Sequence, residues 1–103
     1  EITDVEENNE KNLPENYAMI SNYPNPFNSA THLTVEGIEI GLKAKLAIYN
    51  LLGEEIIELP VGESGEVSWS GVDSHGNGVP SGVYFARLKG ADKANTLKMT
   101  LMK

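Results

Sequence analysis

The sequence predicts an all-β fold, an antiparallel β-sandwich of about seven strands, and three observations carry that expectation. Short segments alternate apolar and polar residues at a period of two, and glycine, proline and asparagine turns recur about every ten residues. No stretch of about 11 residues or more carries a helical stripe. A chain of 103 residues has room for one core and one domain, too little for an enzyme with a large walled pocket.

Taken in order, residues 1–12 are polar, acidic and without apolar periodicity, and are expected to be a flexible linker to an upstream domain, with the sandwich occupying 13–103. Tyr17 to Ile20 leads into NYPNPFN, Asn22 to Asn28, expected as a kinked first strand. Pro24 and Pro26 would strip N–H donors from one side of it and close one edge, while Tyr23 and Phe27 would face the same layer and plug it. Thr31 to Glu36 sets Leu33 and Val35 against Thr34 and Glu36, a half-buried strand. After turn residues Gly37 and Gly41, Lys43 to Asn50 places Ala44, Leu46 and Ile48 on one face and Lys45, Ala47 and Tyr49 on the other. Leu51, Leu52 and Gly53 connect tightly to Glu54 to Leu59, a hairpin that Pro60 and Gly62 close. Glu66 to Ser70 puts Val67 and Trp69 on one face, and the glycine-rich run Gly71 to Gly82 reads as loop. Val83 to Lys89 is rich in β-formers, and Asn95 to Met102 sets Leu97, Met99 and Leu101 against Lys98, Thr100 and Met102.

Charge is unevenly placed. Of the net −7, residues 1–16 hold −5, whereas Arg87, Lys89, Lys93, Lys98 and Lys103 against Asp92 make the C-terminal stretch basic. That balance argues against general nucleic-acid affinity. The lack of cysteine removes disulfides, thiolate metal sites and cysteine catalysis together. No run approaches the roughly 18 apolar residues of a membrane helix. With no initiating methionine and no signal peptide, the chain is expected to be a piece of something longer.

In PSGVYFA, Tyr84 stands near the start of a late strand with Ala86 two positions on. Immunoglobulin-like sandwiches use a tyrosine there to hydrogen-bond upstream backbone, and a core residue two positions later, which Ala86 would supply without a disulfide. Trp69 is the natural large core residue, although an exposed indole could also stack on a sugar. DSHGNG, Asp73 to Gly78, resembles a calcium loop only superficially, with His75 third and Tyr84 twelfth; Asp73 and Asn77 should make local turns and Gly76 and Gly78 supply positive φ. His32 and His75 announce no metal site, and no nucleophile, base and orienter assemble from the sequence. Glu54 and Glu55 sit at a turn, where solvation is the usual role. No catalysis, cofactor or metal is expected. KMTLMK, Lys98 to Lys103, reads either as an edge strand guarded by lysines or as a terminal peptide that a transport machine captures.

The segments LPENYAMISNYPNPFN, LAIYNLLGEEI, VSWSGVDSHGNGVPSGVYFARL and KMTLMK together resemble the type A C-terminal sorting domain of proteins exported by the type IX secretion system of Bacteroidetes and related phyla, over Leu13 to Lys103. NYPNPFN, WSG and SGVYFARL are also similar to immunoglobulin-like domains of flagellar hook-capping proteins. The first resemblance implies a noncatalytic module that directs an upstream cargo in the same polypeptide through the periplasm and outer membrane, for secretion or cell-surface attachment. Its implied partners are the outer-membrane secretion machinery and a sortase-like peptidase. It implies recognition through Gly82, Tyr84, Lys98, Leu101 and Lys103, while the pattern of the residues themselves makes Pro24, Pro26, Phe27, Trp69 and Tyr84 structural. The terminal strand would be gripped by edge addition, through its backbone hydrogen bonds. Ser29, where the family often has proline, and the acidic Glu54 and Glu55 are departures. The alternatives are a structural or adhesion module of the hook-capping kind and a carbohydrate-binding module using Trp69, Tyr49 or Tyr23.

Overall fold

The computed structural model describes residues 17–36, 44–62, 64–89 and 93–103, so the expected linker boundary and the turn at Gly37 and Gly41 lie outside the described residues. In chain order the strands are β1 (Tyr17–Tyr23), β2 (Thr31–Glu36), β3 (Lys45–Tyr49), β4 (Glu55–Pro60), β5 (Glu66–Trp69), β6 (Gly82–Lys89), β7 (Lys93–Ala94) and β8 (Leu97–Leu101). They form two four-stranded sheets, ordered β5-β2-β1-β7 and β4-β3-β6-β8. This is the expected sandwich of antiparallel strands, with the two-residue β7 added parallel to β1.

Period-two alternation assembles the core. Ala18, Ile20, Leu33 and Val35 face inward from the first sheet, and Leu46, Ile48, Tyr84, Ala86, Met99 and Leu101 face them from the second. Trp69 lies at the centre, 1% exposed, with its ring 5.6 Å from that of Phe27 and 5.3 Å from that of Tyr84, the latter edge-on. Such aromatic pairs add about 0.5–1.5 kcal/mol each beyond the area they bury. The indole N–H donates to the Val72 carbonyl at 2.8 Å, which removes the cost of burying an unpaired donor.

Several expectations change. Tyr23 and Phe27 do not share a layer: Tyr23 continues the outward set of β1 and is 82% exposed, whereas Phe27 is 2% exposed. The cause is local geometry, since residues 24–29 bend instead of running extended and so end the alternation. Both Tyr23–Pro24 and Asn25–Pro26 peptide bonds are cis. Ala47, expected outward, is fully covered, because its cross-strand neighbours Glu58 and Arg87 carry long side chains. Gly78 does not take positive φ; it forms a bridge with Val72, while Gly76 takes φ +84° as expected. The backbone N–H groups of Asn77 and His75 both donate to Asp73, at 2.9 Å, and hold its carboxyl below the usual range.

The exposed edges of β1 and β8 are closed by asparagine side chains. Asn95 Oδ1 accepts the Ile20 N–H at 2.6 Å and Asn95 Nδ2 donates to the Ile20 carbonyl at 3.1 Å. One amide thereby supplies both the acceptor and the donor that a neighbouring strand would offer.

Candidate functional site

The terminal strand β8 is the second sheet's edge, paired on one side with β6. Its other side is taken by the bend that follows β1. Asn25 Oδ1 accepts the Thr100 N–H at 3.1 Å and Asn25 Nδ2 donates to the Lys98 carbonyl at 3.1 Å. The Phe27 N–H donates to the Thr100 carbonyl at 2.9 Å, and the Phe27 carbonyl accepts from Met102 N–H at 2.8 Å. Asn28 Nδ2 closes the row on the Met102 carbonyl at 3.1 Å. The bend is itself held, because the Thr31 hydroxyl donates to the Pro24 carbonyl at 2.8 Å and Asn22 Nδ2 donates to that hydroxyl at 3.0 Å. Phe27 anchors the clip by packing against Trp69.

This arrangement overturns edge addition as the means of gripping the folded terminal strand. From the Lys98 carbonyl to the Met102 carbonyl the backbone groups that a partner strand would need already have partners. The edge is guarded by backbone saturation as well as by lysines. What the strand still offers outward is side chains.

The five residues implied for recognition divide accordingly. Gly82 pairs with Leu101 in register, at φ +155°, a conformation that side-chain-bearing residues rarely adopt. Tyr84 and Leu101 are buried, whereas Lys98 and Lys103 are exposed. The Tyr84 hydroxyl donates to the Pro80 carbonyl, four residues upstream, at 2.6 Å, the expected corner, and burial pushes its pKa up. The Lys103 N–H donates to Ser81 Oγ at 2.9 Å, tying the chain end to the residue before β6. Gly82, Tyr84 and Leu101 are thus brought together as the frame under the strand, and the two lysines stand outside it.

Elsewhere, Ser68 Oγ lies 3.3 Å from His32 Nδ1 and Glu66 Oε1 lies 3.1 Å from His32 Nε2. Hydroxyl, imidazole and carboxylate in a row invite comparison with a hydrolytic triad. These three are cross-strand neighbours on an open sheet face, with His32 and Glu66 about half exposed, where water competes for every contact. Among the described residues no three His, Asp or Glu side chains gather to hold a metal ion, and no helix is long and apolar enough to cross a membrane. The burial of Trp69 removes its ring from any sugar-stacking role. Sequence reasoning missed Asn25, Asn28 and Asn95 as edge plugs; an asparagine flanked by prolines was the available signal, but its partner strand lies 75 residues away.

Residues 21–102 match the family model for the secretion system C-terminal sorting domain. No curated protein matches the chain. Solved structures that share its fold include two from the same bacterium. PorZ, a bacterial surface component of the type-IX secretion system of Porphyromonas gingivalis, is 20% identical with a TM-score of 0.60, over 82% of this chain and 11% of that one. Dimeric latent PorU from Porphyromonas gingivalis is 21% identical with a TM-score of 0.69, over 82% of this chain and 9% of that one. The chain therefore spans about a tenth of the length of either neighbour.

Proposed function

The chain belongs to the secretion system C-terminal sorting domain family, and from that premise we propose that it directs an upstream cargo in the same polypeptide through the type IX route, to the medium or the cell surface. The module is noncatalytic in this reading. Its partners are the outer-membrane machinery and a sortase-like peptidase, and the polar, acidic stretch of residues 1–12 is the segment in which such a peptidase would cut. The observation that carries the reading is the family match over residues 21–102. Consistent with it, the terminal strand is held rigidly while Lys98 and Lys103 face outward. Recognition then proceeds through side chains on a fixed frame, in which Gly82, Tyr84 and Leu101 keep the lysines in position and the charges select the partner.

The test is a fusion of the whole chain behind a reporter with a signal peptide, in a host with the type IX system and in one lacking it. Export only in the first host is expected, and retention of the reporter in the periplasm of the competent host would sink the reading. Removing residues 98–103 is a poor control, because Met99 and Leu101 belong to the core. The paired substitutions Lys98→Ala and Lys103→Ala leave the core intact, and should reduce export with the melting temperature unchanged.

A further inference from the structure

The turn joining β3 to β4 carries two leucines that the turn does not need. Asn50 Oδ1 accepts the N–H groups of Leu52 and Glu54, both at 2.9 Å, and Asn50 Nδ2 donates to Glu54 Oε1 at 2.8 Å. The backbones of Asn50 and Glu54 pair at 3.0 Å, and Gly53 supplies the positive φ of +84°. The geometry is therefore specified by Asn50, Gly53 and Glu54. The side chains of Leu51 and Leu52, 70% and 84% exposed, point into solvent, and polar residues would serve a turn as well or better. Two large apolar side chains fixed in water on a rigid turn mark a surface that something else covers.

These leucines join a larger patch on the outer face of the second sheet. Leu51 separates two shallow grooves, one lined by Tyr49, Phe85, Arg87 and Thr96, the other by Leu52 and Val83. Its rim carries two cations, from β6 and β8, and on the turn the Glu54 carboxylate, which accepts from Asn50 Nδ2. The Arg87 guanidinium lies 6.0 Å from the centroid of the Tyr49 ring, and Lys98 stands opposite Phe85 in register. Among the described residues neither cation is ion-paired, whereas neighbouring Lys89 is held by Glu55 and Glu58. On a chain of net charge −7, two cations without an ion-pair partner among the described residues, beside an apolar groove, favour an acidic ligand.

We propose that Tyr49, Leu51, Leu52, Val83 and Phe85 form the docking surface for a partner protein segment that presents an apolar side chain next to a carboxylate, with Arg87 and Lys98 receiving the charge. A second copy fits less well, because a two-fold contact centred on Phe85 would bring the cations of both copies together. The inference rests on the sorting reading for its choice of a protein as occupant, and names the face of the domain that a carrier would take.

The experiment titrates the 15N-labelled full chain with a capped peptide of leucine and phenylalanine flanked by aspartates, and with the same peptide carrying lysines instead. Shifts confined to residues 49–53, 83–87 and 98, produced by the acidic peptide alone, are expected. Binding should weaken about tenfold or more in the double variant Leu51→Ser, Leu52→Ser and in Arg87→Gln, with melting temperatures unchanged. No shifts, equal shifts from the basic peptide, unweakened binding by the variants, or a concentration-dependent dimer through this face would each overturn the proposal. In the reporter assay, normal export of the double variant beside an exported parent overturns the docking surface and leaves the sorting role standing. Failure of the parent itself removes the sorting role, and the peptide titration still decides the surface.

Discussion

At one edge of the second sheet, β8 has its outward backbone groups, from the Lys98 carbonyl onward, taken by Asn25, Phe27 and Asn28; at the other, among the described residues, β4 meets one loop hydrogen bond, from the Ser74 N–H to the Ile56 carbonyl at 3.1 Å, and a row of charges. The β4 edge also carries an irregularity, where the register with β3 shifts between Ile48 and Tyr49. Lys89 holds Glu55 and Glu58 across its outer face, with Lys45 3.8 Å from Glu58. One edge is therefore saturated and anchored in the core, and the other is discouraged by charge and a bulge. Saturation fixes a strand in place, whereas charge only makes its neighbours unwelcome. The strand that ends the chain, and carries the outward lysines, received the stronger treatment.

The comparison breaks most severely at the anchor. Phe27→Ala removes a 2% exposed ring that packs on Trp69, and should cost about 3–5 kcal/mol, a large share of the roughly 5–15 kcal/mol that such domains possess. Because the Phe27 carbonyl also accepts the Met102 N–H of the terminal strand, amide exchange at Met102 should accelerate beyond what global destabilisation explains. Tyr23→Ala, four residues earlier and 82% exposed, is the control and should fall within about 0.5 kcal/mol of the parent. Equal melting temperatures for the two variants would remove the anchor from the account.

Asn25→Ala sharpens the comparison without touching the core. It leaves the Thr100 N–H and the Lys98 carbonyl without their protein partners, at a cost of about 1–2 kcal/mol. The same change opens an edge, so the variant should associate at concentrations where the parent stays monomeric, as sedimentation would show. A variant that melts like the parent and exchanges its Thr100 amide no faster would mean that the clip is held by Phe27 alone.

How legible this edge was in the sequence follows from the range of its contacts. The strands, the inward sets at Leu33 and Val35, Leu46 and Ile48, or Met99 and Leu101, and the Tyr84 corner all follow from period-two alternation and local spacing, and the structure places them so. Proline spacing in NYPNPFN rightly signalled edge protection, but assigned it to the segment's own strand and assumed that the chain stays extended. The protected strand is β8, and nothing local to Asn25 names a partner 75 residues on. Asn95, likewise 75 residues from Ile20, was hidden for the same reason. The apolar patch at Leu51 and Leu52 was visible only as a turn, because exposure depends on which sheet face the turn extends.

The smallest expected effect tests the charged edge. Lys89→Met keeps most of the apolar stem and removes the contacts to Glu55 and Glu58, so the melting temperature should fall by less than in Asn25→Ala, and the difference from the parent should vanish near 1 M salt. The pH dependence has a fixed sign. The hydrogen bond from Lys89 holds the Glu58 carboxyl below its ordinary 4.5, so its contribution is present above that value and is lost as pH falls through the lower folded value. Glu55 and Glu58 push the Lys89 ammonium above its ordinary 10.5, so its contribution is present below 10.5 and is lost as pH rises through the folded value. The gap between parent and variant should therefore be widest between about pH 5 and pH 10 and narrow on both sides. Burial of Tyr84 also makes the fold weaken in alkali, but equally in both proteins, so it cancels in the difference. A gap indifferent to both pH and salt would mean that Lys89 guards its edge by covering it with a hydrocarbon stem, and the contrast between a saturated and a charged edge would then lose its second half.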